Sequence, residues 1–171
     1  MRGLLLPLVT LFAATALSAV AQPVVVGSPD VLPLALDDSF RVVKVFSQTI
    51  DPQLNAKAKI DSLKAEIDRR YFGAINEFEK RQREGNYYTV QWQAPKVSGG
   101  SDVTVRLEYR QKKLGAHVLA FDAHYPSASG TISTEFSVLG DDYYQDGAVV
   151  AWRVLLIQKG RIVGVQQSFL W

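Results

Sequence analysis

Cysteine is absent from all 171 residues. That absence removes thiol catalysis, thiolate metal sites and any disulfide framework, so packing alone must hold the fold. Histidine is nearly absent too, with only His117 and His124. Seven apart, they fall on opposite faces of one straight strand and cannot act together there. There is no G-x-S-x-G elbow, and no glycine-rich phosphate cradle follows a strand. Neither nucleophilic catalysis nor a cofactor is therefore expected. A paired-carboxylate hydrolase needs two acids facing each other across a cleft, whereas Asp141, Asp142 and Asp146 crowd one loop. A charge excess is missing as well: 19 basic residues stand against 17 acidic ones. Near-neutrality argues against nucleic acid as a partner, which selects a basic face.

What is present begins with an address. Met1-Arg2 gives a short positive start, Gly3 to Ser18 carries no charge, and Ala19-Val20-Ala21 supplies a small-x-small cleavage pattern. This pattern predicts a secretory signal peptide over 1–21, cut before Gln22, and a secreted or periplasmic location. The apolar run is too short and too rich in alanine and threonine for a span of about 20 residues, so no transmembrane segment is expected after cleavage. Residues 22–171 suffice for one domain with a real core.

An N-terminal extension over 22–50 holds the strand candidate "FRVVKVF". A long amphipathic helix is predicted over 51–85. Asp51-Pro52 is its cap and first position, and Gly85-Asn86 its stop. Between them Ile60, Leu63, Ile67, Tyr71, Ala74 and Phe78 recur three and four apart. Glu66–Arg70, Glu77–Arg81 and Glu79–Arg83 are spaced for ion pairs. Gly73 is the weak point, at about 1 kcal/mol against alanine. A single helix of this length would overhang a sheet and leave Ile60, Leu63 and Ile67 to seek another helix, as in a coiled coil. Self-association or a protein partner through this segment is expected; a break at Gly73, with both halves docked on the last hairpin, is the alternative.

From Tyr87 the apolar period falls to two, and six runs separated by Gly, Pro, Ser or Asp predict an antiparallel β domain over 86–171. The fold class is mainly β with one long N-terminal helix, the strands forming a sandwich or a meander. Lys159-Gly160 predicts a two-residue turn that sets Val154 opposite Val165, Leu156 opposite Val163 and Val150 opposite Phe169. A tight turn at "YPSASG" would pair Tyr125 with Ile132, Phe121 with Phe136, Asp122 with Glu135 and His124 with Ser133. On that face Asp122, His124 and Glu135 form a candidate divalent-metal set, and Arg106, diagonal to Asp122, offers a salt bridge instead.

"YTVQWQAP" followed by "SGGSDVTVRLEYR" resembles the second and third strands of a fibronectin type III-like (immunoglobulin-like) β-sandwich over residues 88–110. Trp92, Pro95, the loop Ser98 to Ser101 and Tyr109 carry the resemblance. Trp152 stands where that family has a corner tyrosine, and a helix stands in place of its first strand. The resemblance implies an adhesive or spacer module without catalysis. The tight "YPSASG" hairpin points instead to a continuous meander, because in that family the two strands belong to different sheets.

Two further readings concern ligands. In "GDDYYQDG", Tyr143 and Tyr144 beside Asp141, Asp142 and Asp146 are the first candidates for sugar recognition, although the same residues suit a turn between strands. An apolar pocket between sheet and helix, lined by Trp92, Phe121 and Trp152, would make the protein a small-ligand carrier. The alternating end at Phe169 and Trp171 resembles the terminal signal of outer-membrane barrels, which need at least eight strands. The preferred expectation is an exported, non-catalytic binding or assembly module.

Overall fold

Each alternating run becomes a strand, because period-two side chains give a strand one face to bury and one to expose. The computed structural model describes residues 21–55 and 61–171; residues 1–20 of the expected signal segment lie outside the described residues. Eight strands run β1 Val24–Val25, β2 Arg41–Ile50, β3 Gly85–Ala94, β4 Ser101–Gln111, β5 Leu119–Ala128, β6 Gly130–Leu139, β7 Val149–Gln158 and β8 Arg161–Gln167. Among the described residues the helical stretches are α1 Pro52–Asn55, α2 Asp61–Tyr71, α3 Glu77–Arg81 and α4 Gly140–Asp146. The protein is mainly β, with two open antiparallel sheets ordered β1-β5-β4-β7-β8 and β2-β3-β6. One core joins them: Tyr88, Val90 and Trp92 of β3 and Phe136 and Val138 of β6 pack with Val103, Val105 and Leu107 of β4 and Val154 and Leu156 of β7.

The expected single helix over 51–85 is not one helix. α2 stops at Tyr71, Gly73 takes a left-handed φ of +82°, and α3 restarts at Glu77. Glycine adopts that conformation without strain and so provides the break. Asn76 supplies the restart: its side chain accepts the Glu79 N–H at 2.9 Å, and Glu79 takes the Ile75 N–H at 2.6 Å. That is a variant of the capping box, three residues from cap to acid. Of the predicted ion pairs, Glu66–Arg70 forms at 2.7 Å, whereas Glu77 meets Lys80 at 2.7 Å and Arg83 turns to the carbonyls of Arg70 and Phe72.

The "YPSASG" hairpin does not form either. β5 and β6 lie in different sheets, and β6 pairs with β3, setting Trp92 opposite Ile132, Tyr88 opposite Phe136 and Thr89 opposite Glu135. The hairpin register would have set Asp122 against Glu135, a repulsive pair. In the observed one Asp122 pairs with Arg106. Crossing between sheets also lets Tyr125 and Phe136 enter the core from opposite layers.

The final hairpin keeps its predicted turn, with Lys159 at φ +50° and Gly160 at +70°, and its first pairs, Gln158–Arg161 and Ile157–Ile162. A bulge then shifts the register by one, so Leu156 faces Gly164, Leu155 faces Val165 and Val154 faces Gln166. In the shifted register the backbone at Gly164 is closely packed: a side chain there would place its Cβ 3.0 Å from Leu156 Cδ1 and 3.2 Å from the Phe40 carbonyl oxygen.

The outer face of that hairpin is covered by the N-terminal extension, not by the helices. β1 pairs with β5 on one edge of the five-stranded sheet, where the Val26 N–H also donates to Ala120. On the other edge the Ala35 and Asp37 N–H groups donate to the Ile162 and Val163 carbonyls, and Ile162 donates to Pro33. Residues 27–32 therefore bridge the sheet as a strap, and Leu32 packs on Leu155, Ile157 and Ile162.

Candidate functional site

The segment Gly140–Asp146 folds as α4, and its two tyrosines point into the protein. The Tyr143 hydroxyl donates to Asp51 Oδ2 at 2.8 Å. The Tyr144 hydroxyl donates to Glu84 Oε2, while Tyr71 of α2 donates to the other oxygen, Oε1, at 2.8 Å. Glu84 is buried, and its carbonyl accepts the Gly140 N–H at 2.9 Å. Arg81 of α3 lies over the Tyr144 ring at 4.4 Å. One carboxylate thus ties α2 and α4 together just before β3. Asp141 and Asp142 are exposed and Asp146 is half-buried. The side chains singled out for sugar recognition are divided: the tyrosines act as cross-braces, and the acids Asp141 and Asp142 face water.

The braces have a pH consequence. Burial first, then the hydrogen bond to Asp51, raises the Tyr143 phenol well above its ordinary value of 10.0. Burial and the bond to Glu84 raise Tyr71 and Tyr144 in the same direction. Burial also pushes Tyr109 up to about 12. With raised phenols the unfolded chain releases its protons first. Stability is therefore full below pH 10.0 and is lost as pH climbs toward the folded values. Tyrosinate absorbance is expected to rise together with unfolding for these residues. Ionisation of Tyr143 and Tyr144 at the ordinary value in a protein that stays folded would refute the braces.

The other candidate residues are dispersed. Asp122 accepts two bonds from Arg106, at 2.7 and 2.8 Å. His124 faces Asp102 at 3.5 Å and Thr104 at 3.3 Å. Glu135 is in the other sheet, 3.7 Å from Arg70. Among the described residues no group of three or more His, Asp or Glu could hold a metal. Trp92 is fully buried, and its indole N–H donates to Thr134 Oγ1 at 2.9 Å. Trp152 packs edge-on against Tyr88 with centroids 6.2 Å apart. Phe121, of the proposed pocket residues, lines a cavity of about 220 Å³ shared with Arg70, Tyr87 and Glu135. Of the expected helix interface, Ile60 and the Leu63 side chain lie outside the described residues, and Ile67 is half-buried.

Two features escaped the sequence reading. The corner between α2 and α3 presents Phe72 at 85% exposure, Ile75 at 89% and Phe78 at 70%. Beneath the strap lies a cavity of about 470 Å³ floored by Glu108, Arg110 and Arg153. The signal for the first was available: "FGAINEF" sets three large apolar residues at three-residue intervals across a glycine. Among the described residues no helix is long and apolar enough to cross a membrane. No protein-family model, curated protein or solved structure matches the chain.

Proposed function

We propose that the protein is an exported, non-catalytic binding or assembly module on a fibronectin type III-like sandwich. It associates with a second copy of itself through the α2–α3 corner. The sandwich assignment is supported by consecutive strands β5 and β6 lying in different sheets and by Trp92 in the core of β3. The strand β2 ahead of the helical segment also supports this reading, in which the helices are an insertion between β2 and β3.

One observation carries the function: the three exposed apolar side chains of the corner stand on a braced mount. Arg83 holds the carbonyls of Arg70 and Phe72, Asn76 caps α3, Tyr71 is tied to Glu84, and Arg70 stacks on Tyr87 at 4.0 Å. An apolar patch held in one shape loses little entropy on binding, and contiguous exposed apolar surface marks interaction sites. The rim carries both signs, with Glu77 beside Lys80 and Arg81. A self-complementary surface of this kind suits a two-fold contact, in which each patch must satisfy its own copy.

The test uses exported protein, whose N-terminal sequence is expected to begin at Gln22; a retained apolar leader would overturn the localisation. Sedimentation should show a concentration-dependent dimer that Phe72→Ser, Ile75→Ser and Phe78→Ser together convert to a folded monomer. A wild type that stays monomeric, or a triple variant that still dimerises, would remove the corner as a self-association surface.

A further inference from the structure

The strap meets the sheet at its two edges and stands off it in between. No main-chain hydrogen bond joins residues 27–32 to β4 or β7, although both flanks are bonded to β5 and β8. Val31 is wholly exposed while Leu32 turns inward. The space left underneath, about 470 Å³, falls within the range of small-molecule sites. One wall is apolar, formed by Leu32, Val118, Leu155 and Ile162. The other is charged, with Asp30, Glu108, Arg110 and Arg153, and the guanidinium groups of Arg110 and Arg153 lie over the Trp171 ring at 4.5 and 4.8 Å.

The charges around the cavity balance, Asp30, Glu108 and Asp122 against Arg106, Arg110 and Arg153, but they are not all paired. Glu108, 1% exposed, is taken by Arg153 through a 2.6 Å bond. Asp122 is taken by Arg106, which Asp30 of the strap also favours electrostatically. Among the described residues Arg110 has no ion-pair partner, and its Nε is buried without a hydrogen-bond acceptor. That Nε is closed off from the cavity, so a ligand there meets the rest of the guanidinium, which answers best to a planar anion that takes two of its N–H groups. Apolar wall, cation and roof together define an amphiphile.

We propose that the cavity beneath the strap binds a small organic anion with an apolar body. Arg110 holds the anionic group, and Leu32, Val118, Leu155 and Ile162 surround the apolar part. The site is separate from the α2–α3 corner and stands whether or not that corner associates.

Octanoate is the probe, with octanol and octylamine as controls, read by titration calorimetry on the mature protein. Octanoate should bind, octylamine should not, and octanol should bind at least about tenfold more weakly, the worth of one charge-assisted pairing. Arg110→Gln should weaken octanoate by a similar factor while leaving octanol unchanged. The Arg110 Nε–H resonance of the wild type should shift during the octanoate titration, a readout that holds even if the variant fails to fold. Absence of octanoate binding, equal affinity for octanol, or an Arg110 resonance that does not move would each overturn the site.

Discussion

Replacing Trp92 by alanine is expected to destabilise the protein by about 3–5 kcal/mol, a large share of the roughly 5–15 kcal/mol that holds a domain folded. The indole is fully buried at the centre of β3, and its ring meets Tyr125 edge-on at 5.3 Å across the two layers. Its N–H reaches Thr134 Oγ1, which also shares a 2.8 Å bond with the Tyr125 hydroxyl. Alanine would open a cavity and break this three-residue link between β3, β5 and β6 at once. Trp92→Phe keeps most of the apolar volume and should cost distinctly less. The urea midpoint of each variant measures the difference. Equal midpoints for wild type and Trp92→Ala would mean that the residue is not in the core.

Arg153→Leu is the second large effect, again about 3–5 kcal/mol, because removing one member of a buried pair strands the other charge. The asymmetry of the pair makes the prediction specific. Glu108 is 2% exposed at its side chain and cannot reach water, whereas the Arg153 side chain is 35% exposed and can turn outward. Glu108→Leu alone should therefore be much milder than Arg153→Leu, and the double substitution should recover most of the loss. Chemical denaturation of the three variants gives the cycle. If the two single variants cost the same, water reaches Glu108 in the folded protein.

Why these charges are buried could not be read from β4 itself. Arg106, Glu108 and Arg110 alternate with Val105, Leu107 and Tyr109, which is the pattern of a half-solvated strand. What covers them, residues 27–32, is far away in sequence and carries no periodic signal. The strands themselves were legible because their apolar period survives any choice of partner. Their pairing was less so: β6 satisfies its alternation beside β5 or beside β3, and the choice rests on Ile132 and Phe136 meeting Trp92 and Tyr88 and on keeping Glu135 away from Asp122. In the helical segment the stripe at three- and four-residue spacing was real locally. Gly73 and the Asn76-to-Glu79 cap, both visible in the sequence, outweighed it. In α4 the residue types were read correctly and their direction was not, since nothing local tells a tyrosine that its acceptor is Asp51 or Glu84.

The strap also sets the order in which the chain can be completed. Val25 finds its partner in Phe121 and Pro33 in Ile162, so the earliest of these segments waits for the latest. Contacts of such long sequence separation form slowly, because loop closure must precede any gain from them. Until β8 is made, Arg106 and Glu108 face water and Leu155 and Ile157 lack their roof. If the protein is exported as proposed, its closing latch emerges ahead of the strand it needs and cannot lock until β8 follows.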